Sequence, residues 1–144
     1  MDHDEPVTRS SFRELHPIVT PQPLSQLPDR VWTLSEWDHI RMGHQSRSMD
    51  EKWDVFTEAD IVYMHRSWTG RGIYEVTFSP LAAGGRKITS VAVESDPQRY
   101  QRTTDDCDRA LIELIIGGTL LHESTLELQA AFAAAIARAH PDRH

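Results

Sequence analysis

Four β-branched and aromatic runs, divided by turn residues, constrain this chain more than any other feature. They are residues 53–58 (WDVFTE), 61–68 (IVYMHRSW), 72–79 (GIYEVTFS) and 87–94 (KITSVAVE). Val, Ile, Thr, Tyr, Phe and Trp suit a pleated, half-buried surface. Ala59-Asp60 and Thr69-Gly70-Arg71-Gly72 separate the first three runs, and Pro80 to Arg86 makes a longer third connection. Links this short cannot make a parallel crossover, so the pattern predicts an antiparallel meander of four strands. Alternation puts Val62, Met64, Arg66, Trp68, Tyr74, Val76, Phe78, Val91 and Val93 on the core face. Ile61, Tyr63, His65, Ile73, Glu75, Thr77, Ser90 and Glu94 fall on a mixed face turned to water, a partner or a ligand.

Helices flank the strands. Thr33 and Glu36 have capping-box spacing ahead of Leu34, Trp37 and Ile40, which predicts a helix over about 34–43 that stops at Gly43. A second is expected at about 104–116, capped by Thr104, with Asp105 and Asp106 at its positive end and Gly117-Gly118 as its stop. Its Leu111, Ile112, Leu114, Ile115 and Ile116 are too apolar for a half-wetted helix. A third is expected at about 125–140, with Ser124 and Glu127 as a capping pair and Pro141 after its end. Leu128, Phe132, Ala135, Ile136 and Ala139 form its apolar stripe. Residues 1–30 carry Pro6, Pro17, Pro21, Pro23 and Pro28 and read as an extended arm. The expected fold is therefore α+β: the arm at 1–30, then one domain at 31–144. In that domain an N-terminal helix precedes the four-stranded sheet, and both C-terminal helices pack on one sheet face.

Composition narrows the function. A net charge of −7 argues against general nucleic-acid binding, which needs clustered cations. No apolar run is long enough to span a bilayer, and the start MDHDEPVTRSS has no signal-peptide core. The single cysteine, Cys107, excludes a disulfide framework and fits a cytoplasmic setting. Eight histidines show no HxH, HExxH or comparable spacing; no metal and no other cofactor is implied.

The richest segment is Met49 to Tyr74. His65, Arg66, Trp68, Arg71 and the backbone of Thr69, Gly70 and Gly72 could line a pocket for a small anion, since arginine forks suit phosphate and glycine allows close approach. The same residues also make an ordinary hairpin, with Arg66 laid over an aromatic ring. If the hairpin is symmetric about Gly70, His65 and Glu75 lie opposite each other, the start of a general-base pair with Ser67 nearby. No catalytic residue is assigned. Asp50 and Glu51 could hold a cation or a substrate hydroxyl, or form a solvated loop with Lys52.

The stretch MDEKWDVF, then IVYMHRSWTGRGIYEVTF, resembles a group of small uncharacterised bacterial domains. Those domains carry an acidic-Lys-Trp strand, then Tyr-x-His-Arg-Ser-Trp-Thr-Gly, then Ile-Tyr. The similarity covers residues 49–78, with looser echoes at Trp37 and His44. It implies a bacterial setting near ADP-ribose handling or toxin-immunity systems and carries over no catalytic residue.

Two function classes follow. The first is a non-enzymatic binding protein, an immunity- or antitoxin-like partner or accessory module whose acidic surface suits a basic protein. The second is a small enzyme or sensor acting on a nucleotide or ADP-ribosyl group through the 65–75 hairpin. A homodimer is expected in addition, because the apolar helix at 104–116 needs covering.

Overall fold

The computed structural model describes residues 5–139. In chain order the elements are β1 (Pro21–Pro23), β2 (Val31–Trp32), α1 (Leu34–Ile40), β3 (Trp53–Glu58), β4 (Ile61–Arg66), β5 (Gly72–Pro80), β6 (Arg86–Glu94), α2 (Asp105–Leu114), a π-helical turn (Ile115–Leu120) and α3 (Leu126–Ala139). The fold is α+β with an antiparallel sheet, as expected. The sheet has six strands in the order β1-β6-β5-β4-β3, with β2 also on β6. The two added strands come from the proline-rich segment and its continuation. Pro21 and Pro23 sit on an edge strand, where a missing amide donor costs little.

The inner sheet face follows alternation except beside the two register shifts, where Ile73, expected on the mixed face, joins the core next to Tyr74, and Ile88 joins it out of phase with Val91. Val55, Val62, Met64, Tyr74, Val76, Phe78, Val91 and Val93 are buried and cluster with Trp37 and Ile40 of α1, Ile112 of α2, and Ile115 and Ile116 of the π turn. Trp32 and Trp37 pack against Phe78 with ring centroids 5.3 and 4.9 Å apart. Trp68 does not join this face. β4 ends at Arg66, and Trp68 lies in the turn beyond it, 64% exposed.

The helix caps explain where α1 and α2 begin. Thr33 and Glu36 form the expected box, each accepting the other's amide at 3.0 and 2.9 Å. Thr104 accepts from the Cys107 amide. A buried network then ties α2 to the sheet. Tyr74 and Tyr100 each donate to Asp108 Oδ1 at 2.6 Å, and Arg102 donates to Oδ2 at 2.9 Å.

Three expectations about the C-terminal part need correction. Gly117-Gly118 does not end α2; the pair sits inside the π turn that continues it. A Cβ on Gly117 would come within 3.1 Å of the Leu128 side chain, so glycine here permits close packing rather than a stop. Thr125, not Ser124, occupies the cap of α3, its carbonyl accepting from Gln129. Finally, α3 lies on α2 as an outer layer and does not join α2 on the sheet. Its stripe is only partly covered: Ala135 is buried, while Leu128, Phe132 and Ile136 are half-buried. Of the apolar residues expected on this helix, Ile112, Ile115 and Ile116 are buried within the chain, while Leu111 and Leu114 are half-buried. His140, Pro141 and His144 lie outside the described residues.

The outer sheet face is not left to water. The arm crosses it. Phe12 lies 5.9 Å from Phe56, which stacks on Tyr63 at 4.9 Å. Arg9 covers both rings at 4.8 and 5.2 Å and grips Glu58 with two hydrogen bonds of 2.9 Å. Farther on, the Val19 and Thr20 amides donate to the buried Glu94 carboxylate, each at 2.9 Å. The segment read as an extended arm thus lies along the sheet. Among the described residues no helix is long and apolar enough to cross a membrane.

Candidate functional site

The loop between α1 and β3 organises the surface at one end of the sheet. His44 exchanges two backbone hydrogen bonds of 2.8 Å with Val55, which anchors the loop's start. The Ser46 amide then donates to Asp54 Oδ1 at 2.8 Å, and the Arg47 amide to Glu51 Oε1 at 2.9 Å. The β4–β5 turn fastens the loop from the other side. Ser67 donates through its amide to the Lys52 carbonyl and through its hydroxyl to that of Glu51, at 2.9 and 2.7 Å. The Trp68 indole N–H donates to the Met49 carbonyl at 2.9 Å.

Two neighbouring clefts open along this loop. One, of about 220 Å³, is bounded by Lys52, Arg66, Trp68 and Thr69. Arg66 lays its guanidinium 5.1 Å from the Trp53 ring centre. The other, of about 410 Å³, lies between the loop and the π turn and shares Lys52; His44, Glu51, Gly118 and His122 line it. There His44 Nε2 and Glu51 Oε1 are 2.9 Å apart. The Arg47 amide first and His44 second hold the Glu51 carboxyl below the usual carboxylate range. His122 has a φ of +56°, an uncommon backbone state for a residue with a side chain.

The structure divides the expected site residues. Arg66, Trp68 and Thr69 line one cleft. His65 is buried on the outer face beneath the arm, and its Nδ1 donates to the Gly70 carbonyl at 2.8 Å. The same carbonyl accepts from the His16 amide, and the Gly72 amide donates to the His16 carbonyl. Gly70 has a φ of +74°, and a Cβ there would collide with the Glu14 carbonyl, so the turn and the arm fit only with glycine. Burial pushes the His65 ring below its ordinary pKa, against the opposing pull of the Gly70 carbonyl. Arg71 leaves the group: its Nη1 donates to the Gln98 carbonyl at 3.0 Å.

The expected His65–Glu75 pair does not form. Tyr63 stands opposite Glu75, and Gly72 opposite His65. The turn is centred between Trp68 and Thr69 and not on Gly70, which puts Gly72 opposite His65; the irregularity between Met64 and His65 shifts the register by only one residue more. Glu75 is half-buried, and that burial raises its carboxyl pKa while Arg9 lowers it.

His44, Lys52, His122 and the π turn were not singled out as a site by sequence. Only the adjacency of Asp50, Glu51 and Lys52 signalled it, and no spacing rule links that loop to residue 122. Among the described residues no three His, Cys, Asp or Glu side chains come together as a metal site. Compared with known proteins, the chain matches no family model, no curated protein and no solved structure.

Proposed function

We propose that the chain is a non-enzymatic binding module that takes a small anionic ligand bearing a flat ring, of the nucleotide kind, in the Lys52–Arg66–Trp68–Thr69 cleft. One observation carries this: Trp68 is 64% exposed, yet its indole N–H is fixed to the Met49 carbonyl. Folding alone gives no reason to hold a large ring in water. A fixed ring face with two cations beside it suits a base and a phosphate, by stacking and by charge-assisted hydrogen bonds. Neither His65 nor Glu75 supplies this cleft with a base, which favours binding over catalysis.

Tryptophan fluorescence tests the proposal: Trp32 and Trp37 are buried in the core, Trp53 borders the neighbouring cleft, and Trp68→Phe separates the Trp68 signal from that of Trp53. ADP should quench the signal saturably. Arg66→Ala should weaken binding by roughly 10- to 150-fold, the loss of a charge-assisted contact. Arg71→Ala should bind as the parent does, since Arg71 is held at Gln98. Absence of quenching by ADP, or equal affinity in Arg66→Ala with folding intact by circular dichroism, overturns the proposal.

A second reading, an immunity- or antitoxin-like partner of a basic protein, is favoured by the net charge of −7. Such binding would weaken steeply with salt and survive Trp68→Ala.

A further inference from the structure

We infer that the ligand extends past Lys52 into the cleft between the loop and the π turn, so that its class is a nucleoside diphosphate joined to a polyhydroxylated group. This rests on the nucleotide reading above and adds the part of the ligand beyond the phosphates.

The order of the side chains is the argument. Trp68 stands at one end. Lys52 and Arg66 come next; Lys52 borders both clefts, and Arg66 lies against the Trp53 ring that borders the second. Phosphates placed at these cations lead into the second cleft. That cleft is the wrong place for more phosphate, because Asp50 and Glu51 line it with negative charge. Carboxylates accept hydrogen bonds, so what fits there is a neutral group rich in hydroxyl donors.

Glu51 is prepared for that role. The Arg47 amide and His44 Nε2 both meet Oε1 at 2.9 Å, which fixes the carboxylate. Among the described residues Oε2 accepts no hydrogen bond. His122, two residues past the π turn, lines the same cleft; π turns are a helix form frequent at functional sites. Size agrees as well. The Trp68 cleft, at about 220 Å³, falls below the usual range of about 300–1,000 Å³ for ligand sites, and the adjoining 410 Å³ supplies what is missing.

The test compares ADP with ADP-glucose by quenching of Trp68 and by calorimetry. ADP-glucose should bind at least about tenfold more tightly, the worth of one charge-assisted hydrogen bond. Glu51→Gln and His122→Ala should each bring the two affinities close together, and Arg71→Ala should keep them apart. Equal binding of ADP and ADP-glucose by the parent protein overturns this inference and leaves the nucleotide reading standing. So does a preference that survives in both folded variants. Failure of both compounds to bind overturns the two proposals together.

Discussion

The two faces of the sheet are closed by different forces. The inner face buries aliphatic and aromatic side chains against α1, α2 and the π turn, with Phe78, Val76, Met64 and Ile112 fully enclosed. The outer face is closed by a strap of irregular chain. Its contacts are directed and mostly polar: Arg9 on Glu58, the His16 backbone on Gly70 and Gly72, and two amides on Glu94. Apolar burial is proportional to area and indifferent to pH. Hydrogen bonds to ionised groups are local and depend on protonation. One sheet therefore combines a face closed mainly by buried area, with the Asp108 network as its ionisable tie to α2, and a face closed mainly by directed contacts, and the strapped face backs the turn that carries Trp68.

The inner face should show the largest effect. Phe78→Ala removes a ring packed between Trp32 and Trp37 and should destabilise the fold by roughly 3–5 kcal/mol in denaturant melts. A loss below about 1 kcal/mol would mean the inner face is not the main source of stability. The apolar stripe of α3 belongs to neither face, and Phe132, half-buried, should cost less than Phe78 when cut to Ala.

Glu94 comes second. It is the buried anchor of the strap. Burial pushes its carboxyl up, but the Val19, Thr20 and Asp96 amides and the Arg99 charge leave it below the ordinary value. A depressed folded pKa contributes stability above the unfolded value of about 4.3 and loses it as pH falls through the folded one. Glu94→Gln should cost about 1.5–3 kcal/mol at pH 7 and flatten the acid end of the stability curve. Hydrogen exchange at Val19 and Thr20 should rise most. Uniform exchange across the sheet would contradict a locally held strap.

His65 acts at milder acidity. Burial lowers its folded pKa, so the unfolded ring, at about 6.5, binds a proton first. The stability tied to the neutral ring is present above about pH 6.5 and is lost as pH falls through the folded value. Stability should thus decline below about pH 6.5 in the parent protein and decline less in His65→Gln. Identical curves would show that the neutral ring under the strap contributes nothing to acid sensitivity.

The contrast between faces also explains what the sequence made legible. Period-two alternation revealed the inner face, because a face buried by area repeats its residue type at every second position. The outer face depends on single contacts across long separations. Arg9 meets Glu58, and Glu94 meets Val19, with no local signature for either. Prolines in 17–28 correctly marked an irregular chain, yet they are compatible with an edge strand, so the sheet gained strands that alternation did not count. In the candidate site, Arg66, Trp68 and Thr69 were legible as neighbours in the chain. Glu75 was misplaced because the β4–β5 turn centres between Trp68 and Thr69, which the glycines at 70 and 72 do not mark, and His122 was missed because folding alone brings it beside His44.

Arg9 gives the smallest effect and the sharpest separation of the two faces. Its pair with Glu58 is bidentate at 2.9 Å, but both side chains are nearly half exposed. Water and salt screen such pairs, and their usual worth is about 0–1 kcal/mol. Arg9→Ala also uncovers the Phe56 and Tyr63 rings, so lost packing adds to lost charge. Arg9→Gln keeps part of the stem over the rings and removes the charge. If the strap is held there mainly by charge, both variants should lose a similar amount, and the loss should shrink in 1 M salt, where screening acts within about 3 Å. If the stem matters more, Arg9→Gln should lie near the parent and salt should change little. In either case Phe78→Ala should keep its full cost at high salt, because area burial does not screen. A salt-sensitive Phe78→Ala, or an Arg9→Ala as costly as Phe78→Ala, would break the division between an area-driven face and a contact-driven one.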